Sequence, residues 1–174
     1  MSSRPDVLCN AGPLITLGKL NRLEVLSELY GEVQIPRTVY DEVVTSGLTK
    51  GASDAMTVRL FWRRRKWPIV DVPTALLVSY KPSVILDAGE KAVLALAQTK
   101  SSPLVLLDDE DARSEASRLG LQLRGTLGIL AKACQEKILT LVQTELLMHE
   151  ISARRDIWIS SKLCEQVLCE LRKR

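Results

Sequence analysis

The sequence has little histidine and little cysteine: one of the first and four of the second in 174 residues. His149 lies far along the chain from every acidic motif, in a helical run, and takes no catalytic role. The cysteines at 9, 134, 164 and 169 are too widely spaced for a zinc knuckle or a dense disulfide scaffold. They read as reduced thiols in the core, where cysteine behaves as a small hydrophobe. No stretch is apolar for long enough to span a bilayer, and no apolar region of signal-peptide length follows MSSRPD. The expected location is therefore cytoplasmic, with no membrane partner. Neither sign of charge dominates, and a net charge of +3 permits a nucleic-acid or other anionic partner without demanding one. No repeat, low-complexity segment or proline-rich linker divides the chain.

What remains is an ordinary soluble composition, 46% hydrophobic and 26% charged, in a chain long enough to bury a real core. A single domain over 1–174 is expected, with a core over about 6–136 and a helical segment over about 138–172. Short apolar stretches predict strands at VLC 7–9, VQI 33–35, LVLL 104–107 and LQL 121–123, and a weaker one at IV 69–70. Helical patterns lie between them. Leu20, Leu23, Leu26 and Leu29 recur every third residue before Gly31. PRTVYDEVVTSG opens on proline and closes on glycine, as helices tend to. SDAMTVRLFWRRRKW predicts another helix, and DAGEKAVLALAQTK at 87–100 the clearest, with Asp87 at its cap. Further helices are expected over about 110–118, 126–136, 138–155 and 159–172. Strands alternating with helices imply an α/β fold with a mainly parallel sheet.

In such a sheet, chemistry gathers where the strands end. Asn10 ends the first strand, and Asp108 and Asp109 end LVLL. Glu42 and Glu90 lie on helices that can add oxygen. An amide and three or four carboxylates suit Mg²⁺ or Mn²⁺, which take hard oxygen ligands and ready water to attack a phosphodiester. Each residue also has a purely structural reading. Asp87 and Glu90 fit a capping box. Asp108 or Asp109 suits a helix cap, Glu42 a surface pair with Arg37 or Lys50, and Asn10 a turn. In WRRRKW, Arg63, Arg64, Arg65 and Lys66 between two tryptophans offer cations for phosphates and rings for bases. The alternative is a solvated helix end whose tryptophans are core.

Five stretches, NAGPLI at 10–15, IPRTVYDEVV at 35–44, LDAGEKAVLALA at 86–97, LLDDEDAR at 106–113 and GTLGILAKA at 125–133, carry a resemblance. In order and spacing they are similar to the DUF3368 branch of the PIN-domain superfamily, over roughly 6–170. The resemblance implies a three-layer α/β/α sandwich with a central, mainly parallel sheet and C-terminal helices. It implies catalytic positions at Asn10, Glu42, Glu90 and Asp108, and a metal held by Asn10, Glu90, Asp108 and Asp109. Arg113 and Thr126 would support them. Single-stranded RNA is the implied substrate, and a homodimer the implied assembly, with an antitoxin protein as partner should the chain be the toxin of a toxin–antitoxin pair. Asn10 stands where the superfamily has an acidic residue, as this branch generally shows. An amide oxygen can coordinate but brings no negative charge. Ala11 and Gly12 replace the hydroxyl residues usual in the branch. A catalytically degenerate nucleic-acid-binding or regulatory module is therefore the alternative to a nuclease. A small-molecule phosphohydrolase, which would want a compact pocket, is the third reading.

Overall fold

The computed structural model describes residues 5–173. The leaderless reading of the first residues, and the outermost bounds of the 1–174 domain, lie outside that range. Five short strands alternate with helices. β1 (Val7–Cys9), β4 (Leu104–Leu106) and β5 (Gln122–Arg124) form a parallel sheet in the order β1-β4-β5. β2 (Ile35–Pro36) and β3 (Ile69–Val70) form a second parallel pair. A parallel bridge between Leu8 and Gln34 joins the two, with Gln34 N–H donating to Val7 O at 2.8 Å and Cys9 N–H to Gln34 O at 3.1 Å. The strands thus run β3-β2-β1-β4-β5, all in one direction, and all end on one edge. The architecture is α/β with a parallel central sheet.

Central strands of a parallel sheet are covered on both faces, so they read as unbroken apolar runs. Leu8, Cys9, Val105 and Leu106 are fully buried. α7 (Ala88–Ala97) lies against β1, β2 and β4 through a side rich in alanine, valine and leucine. α9 (Thr126–Gln135) packs against α1 (Ala11–Lys19), α2 (Glu24–Tyr30), α10 (Leu141–Ala153) and α11 (Ser161–Arg172). Leu14 and Leu17 of α1 and Ile129 and Leu130 of α9 are wholly out of water. Each such side chain contributes roughly 1.5–3 kcal/mol. No helix among the described residues is long and apolar enough to cross a membrane.

Four elements differ from the sequence expectation. The leucine repeat is not one helix: Leu20 and Leu23 pack in the turn between α1 and α2, buried but not helical. α1 carries Gly12, Pro13 and Gly18, all poor helix formers, yet its first turn tolerates proline because that N–H would go unpaired anyway. PRTVYDEVVTSG is not a plain α-helix. It runs as α3 (Arg37–Tyr40), a π-helical stretch Asp41–Ser46, and α4 (Gly47–Thr49). The remaining helices are α5 (Ser53–Arg65), a short α6 (Thr74–Ser79) that the sequence reading did not anticipate, and α8 (Glu110–Arg118).

Candidate metal centre at the strand ends

Asn10 follows β1 and occupies the cap position of α1. A capping asparagine ordinarily turns its oxygen onto the amide of the second or third helical residue. Here the third is Pro13, which has no N–H, and Asn10 makes no cap bond. Its side chain is buried, at 5% exposure, and Oδ1 has no hydrogen-bond partner. A buried polar atom without a partner costs about 1–3 kcal/mol, so the arrangement calls for something to meet that oxygen.

What surrounds it is acidic. A methyl placed on Gly89 would stand 3.2 Å from Asn10 Oδ1, 3.0 Å from Glu42 Oε2 and 3.4 Å from Asp87 Oδ1. Three oxygens from three segments therefore face one small space, which the missing side chain of Gly89 leaves clear. Glu42 reaches it from the π-helical stretch, a distortion frequent at functional sites. Asp87 caps α7 by accepting from Glu90 N–H at 2.7 Å, and Glu90 Oε2 accepts from Asp87 N–H at 2.9 Å. The capping box is real, and it also fixes two carboxylates beside Asn10.

The electrostatics follow. Burial pushes the Glu42 carboxyl above its ordinary value, and the charge of Asp87 pushes it further. Glu90, 8% exposed, is raised by burial, then by Asp87, Asp109 and Glu42, against a lowering bond from the Asp87 amide. Asp108 is raised by burial although Thr126 and Arg113 favour its charged form. Crowded carboxylates, Glu90 buried and Glu42 and Asp87 at the exposed rim, around an orphaned amide oxygen are short of positive charge.

Asp108 is held differently from Asn10 and Glu42. Its Oδ1 accepts from Thr126 N–H at 2.7 Å and its Oδ2 from Thr126 Oγ1 at 2.6 Å, so it caps α9 from another strand. It lies against the first turn of α1, 3.2 Å from where a Gly12 side chain would begin. Arg113 Nη1 donates to Leu107 O at 3.0 Å. It makes no ion pair of normal length, so it braces the end of β4 through the backbone. Asp109 caps α8 by accepting from Ala112 N–H at 2.9 Å and is exposed. Arg37 pairs with Asp71 at 3.1 Å and leaves Glu42 free.

The structure thus gathers Asn10 and Glu42 around Gly89, sets Glu90 beside them, and places Asp108 on the neighbouring strand end. Asp87 was missed by sequence reasoning, which read it only as a cap. The signal was the glycine two residues on, in a helical turn that alanine would favour. Among the described residues no three histidine, cysteine, aspartate or glutamate side chains are grouped closely enough to hold an ion. The Asn10 amide is what completes a donor set, and by that test its free Oδ1, with Glu42 and Asp87, fits a hard divalent cation.

The basic segment is elsewhere. Phe61, Trp62 and Trp67 are buried, packed edge to face, with Trp67 5.1 Å from each of the other two rings. The tryptophans are core and offer no ring to a base. Arg63, Arg64, Arg65 and Lys66 end α5 just before β3 begins, on the edge where strands start, whereas Asn10 and Asp108 follow strands where they end. Two surface hollows, of about 360 and 370 Å³, are lined around Asp6 and Tyr30 and around Tyr80 and Arg118, and neither touches the acidic group.

No curated protein matches the chain. Residues 6–173 match the DUF3368 family, described as a PIN domain, so the match covers nearly the whole sequence. The chain belongs to the PIN-domain family.

Proposed function

We propose that the protein is a divalent-metal-dependent endoribonuclease of PIN type, cleaving phosphodiester bonds of single-stranded RNA with Mg²⁺ or Mn²⁺. Family membership supports a nuclease-like function in general terms. The observation that carries the finer reading is the buried, partnerless Oδ1 of Asn10 facing the Glu42 and Asp87 carboxylates across Gly89. Asn10, Glu42 and Asp87 would hold the ion, with Glu90 and Asp108 adding charge from close by and Asp109 at the rim. A cation there supplies positive charge to offset that of the phosphate and readies water for attack. Glu42, whose carboxyl is raised by burial, would have its other oxygen, the one turned away from the ion, left to accept a proton from an attacking water. Thr126 and the start of α9 hold Asp108 in one orientation, and Arg113 fixes the strand end behind it.

A homodimer is part of the proposal. Val142 and Leu146 are each 65% exposed on α10, with Leu163 of α11 also exposed, and a second copy would cover them. A role as the toxin of a toxin–antitoxin pair, with an antitoxin protein as partner, rests on the family likeness alone. The second reading is a catalytically inert nucleic-acid-binding or regulatory module. It is favoured by one observation: both Asp108 oxygens already accept bonds from Thr126, while Ala11 and Gly12 bring no hydroxyl.

Cleavage of a labelled single-stranded RNA with and without Mn²⁺ separates the two. The nuclease reading expects metal-dependent cleavage, lost in Asp108→Asn and reached at lower Mn²⁺ in Asn10→Asp. Mn²⁺-independent behaviour of all three proteins would leave the module.

A further inference from the structure

Several cations near the acidic group are already engaged, although Lys50, close enough to act on Glu42, is not among the described residues' ion pairs. Arg113 holds the Leu107 carbonyl, Arg37 pairs with Asp71, and Arg124 donates to Tyr30 Oη at 3.0 Å. Elsewhere Lys19, Lys100, Lys132, Arg154 and Arg172 are each paired with a carboxylate. Unpaired cations such as Lys50, Lys81 and Lys162 also occur singly, but the end of α5 gathers several together. Arg59, Arg63, Arg64 and Lys66 are exposed, and among the described residues none has an acidic partner. Arg65 is set apart, its guanidinium 5.6 Å from the Phe61 ring centre. Arg59 and Arg63 share a helix face at the four-residue spacing, Arg64 flanks it, and Lys66 turns out of the helix in a left-handed conformation (φ 55°).

From this placement we infer a second nucleic-acid contact, separate from the acidic group: Arg59, Arg63, Arg64 and Lys66 bind the phosphate backbone of single-stranded RNA at the opposite edge of the sheet. The inference rests on the nuclease reading for its choice of polyanion. An acidic centre repels RNA until a cation arrives, so attraction must come from free cations elsewhere. α5 packs on the π-helical stretch that carries Glu42, so a strand crossing that contact joins the two sites. With Trp62 and Trp67 buried there is no ring to stack on. Binding here is therefore electrostatic, indifferent to sequence and steep in salt. Leu60 and Met56 are exposed one and two turns before Arg63 on the same helix, a feature that an anionic lipid surface would also use.

The test is anisotropy of a labelled oligouridylate titrated without divalent metal at several salt concentrations. The probes are wild type, Arg63→Gln, and the triple variant Arg63→Gln/Arg64→Gln/Lys66→Gln. Each lost phosphate contact should flatten the log–log salt slope by about 0.7, so the triple variant should lose about 2. All three side chains are exposed, and circular dichroism should show an unchanged fold. A triple variant with the wild-type slope overturns the inference. So does a wild type that ignores the oligonucleotide but binds vesicles containing phosphatidylserine. If Mn²⁺ fails to bind wild type while the salt-dependent binding persists and the triple variant abolishes it, the nuclease reading falls and this one stands.

Discussion

Gly89→Ala should separate stability from metal binding. Gly89 sits in the first turn of α7 with ordinary helical backbone, so alanine is allowed and favoured by up to about 1 kcal/mol. Against that, the new methyl meets Glu42 Oε2 at 3.0 Å, Asn10 Oδ1 at 3.2 Å and Asp87 Oδ1 at 3.4 Å. Those contacts are tight but give way by a few tenths of an ångström, because the Glu42 side chain is long. The two effects oppose, and net stability should change by less than about 1 kcal/mol. The ion has no such latitude. Mg²⁺ wants oxygens at about 2.0–2.1 Å, so it must occupy the space that the methyl takes. Mn²⁺ affinity should fall at least tenfold, about 1.4 kcal/mol or more. Calorimetric titration gives the affinity and urea unfolding the stability. A Gly89→Ala protein that binds Mn²⁺ as wild type does would refute the placement of the ion.

Asn10→Asp should bind Mn²⁺ more tightly and melt lower without it, since the added carboxylate joins others that already repel, and calorimetry with paired melts checks both. Thr126→Val removes the hydroxyl that donates to Asp108 at 2.6 Å and should cost about 2 kcal/mol in urea unfolding. Glu115 is 1% exposed and accepts from Tyr80 Oη, Ser83 Oγ and the Arg118 guanidinium, so Glu115→Ala should cost about 2–3 kcal/mol by the same measurement. The pH dependence has two opposed parts. Glu42, Glu90 and Asp108 are raised in the fold, so the folded state takes up protons first and the metal-free protein gains stability as pH falls from neutrality through those raised values. Glu115 is lowered to about 2, so its contribution is full above the unfolded glutamate value and is lost as pH falls toward about 2. Stability without metal should therefore peak at mildly acidic pH. Saturating Mn²⁺ should move the peak toward neutrality, because the ion needs the carboxylates charged.

The alternation of strands and helices was legible because the strands are continuous apolar runs and α7 has a clear cap. The π-helical stretch was not, since VYDEVV has the same composition whether its turns are wound regularly or not. The first helix hid behind Gly12 and Pro13, whose poor propensity is overridden by the burial of Leu14 and Leu17. Asn10 and Asp108 do follow β1 and β4 on one edge of the sheet, as the apolar runs before them imply. Which oxygens are free was decided by partners that sequence does not show. Asn10 makes no cap bond, with Pro13 offering no N–H at the third helical position, while Thr126 takes both oxygens of Asp108. The tryptophans of WRRRKW could be read as rings for RNA or as core. Their packing on Phe61 settled that they are core.

The proposed nuclease requires a divalent cation beside the Asn10 amide. Anomalous diffraction from crystals soaked in Mn²⁺ addresses it directly. A peak is expected within bonding distance of Asn10 Oδ1, between the Glu42 and Asp87 carboxylates and over Gly89, and is expected to be lost in Asn10→Ala. A peak confined to Asp109 and the surface, or a fully soaked crystal with no peak at Asn10, would contradict it.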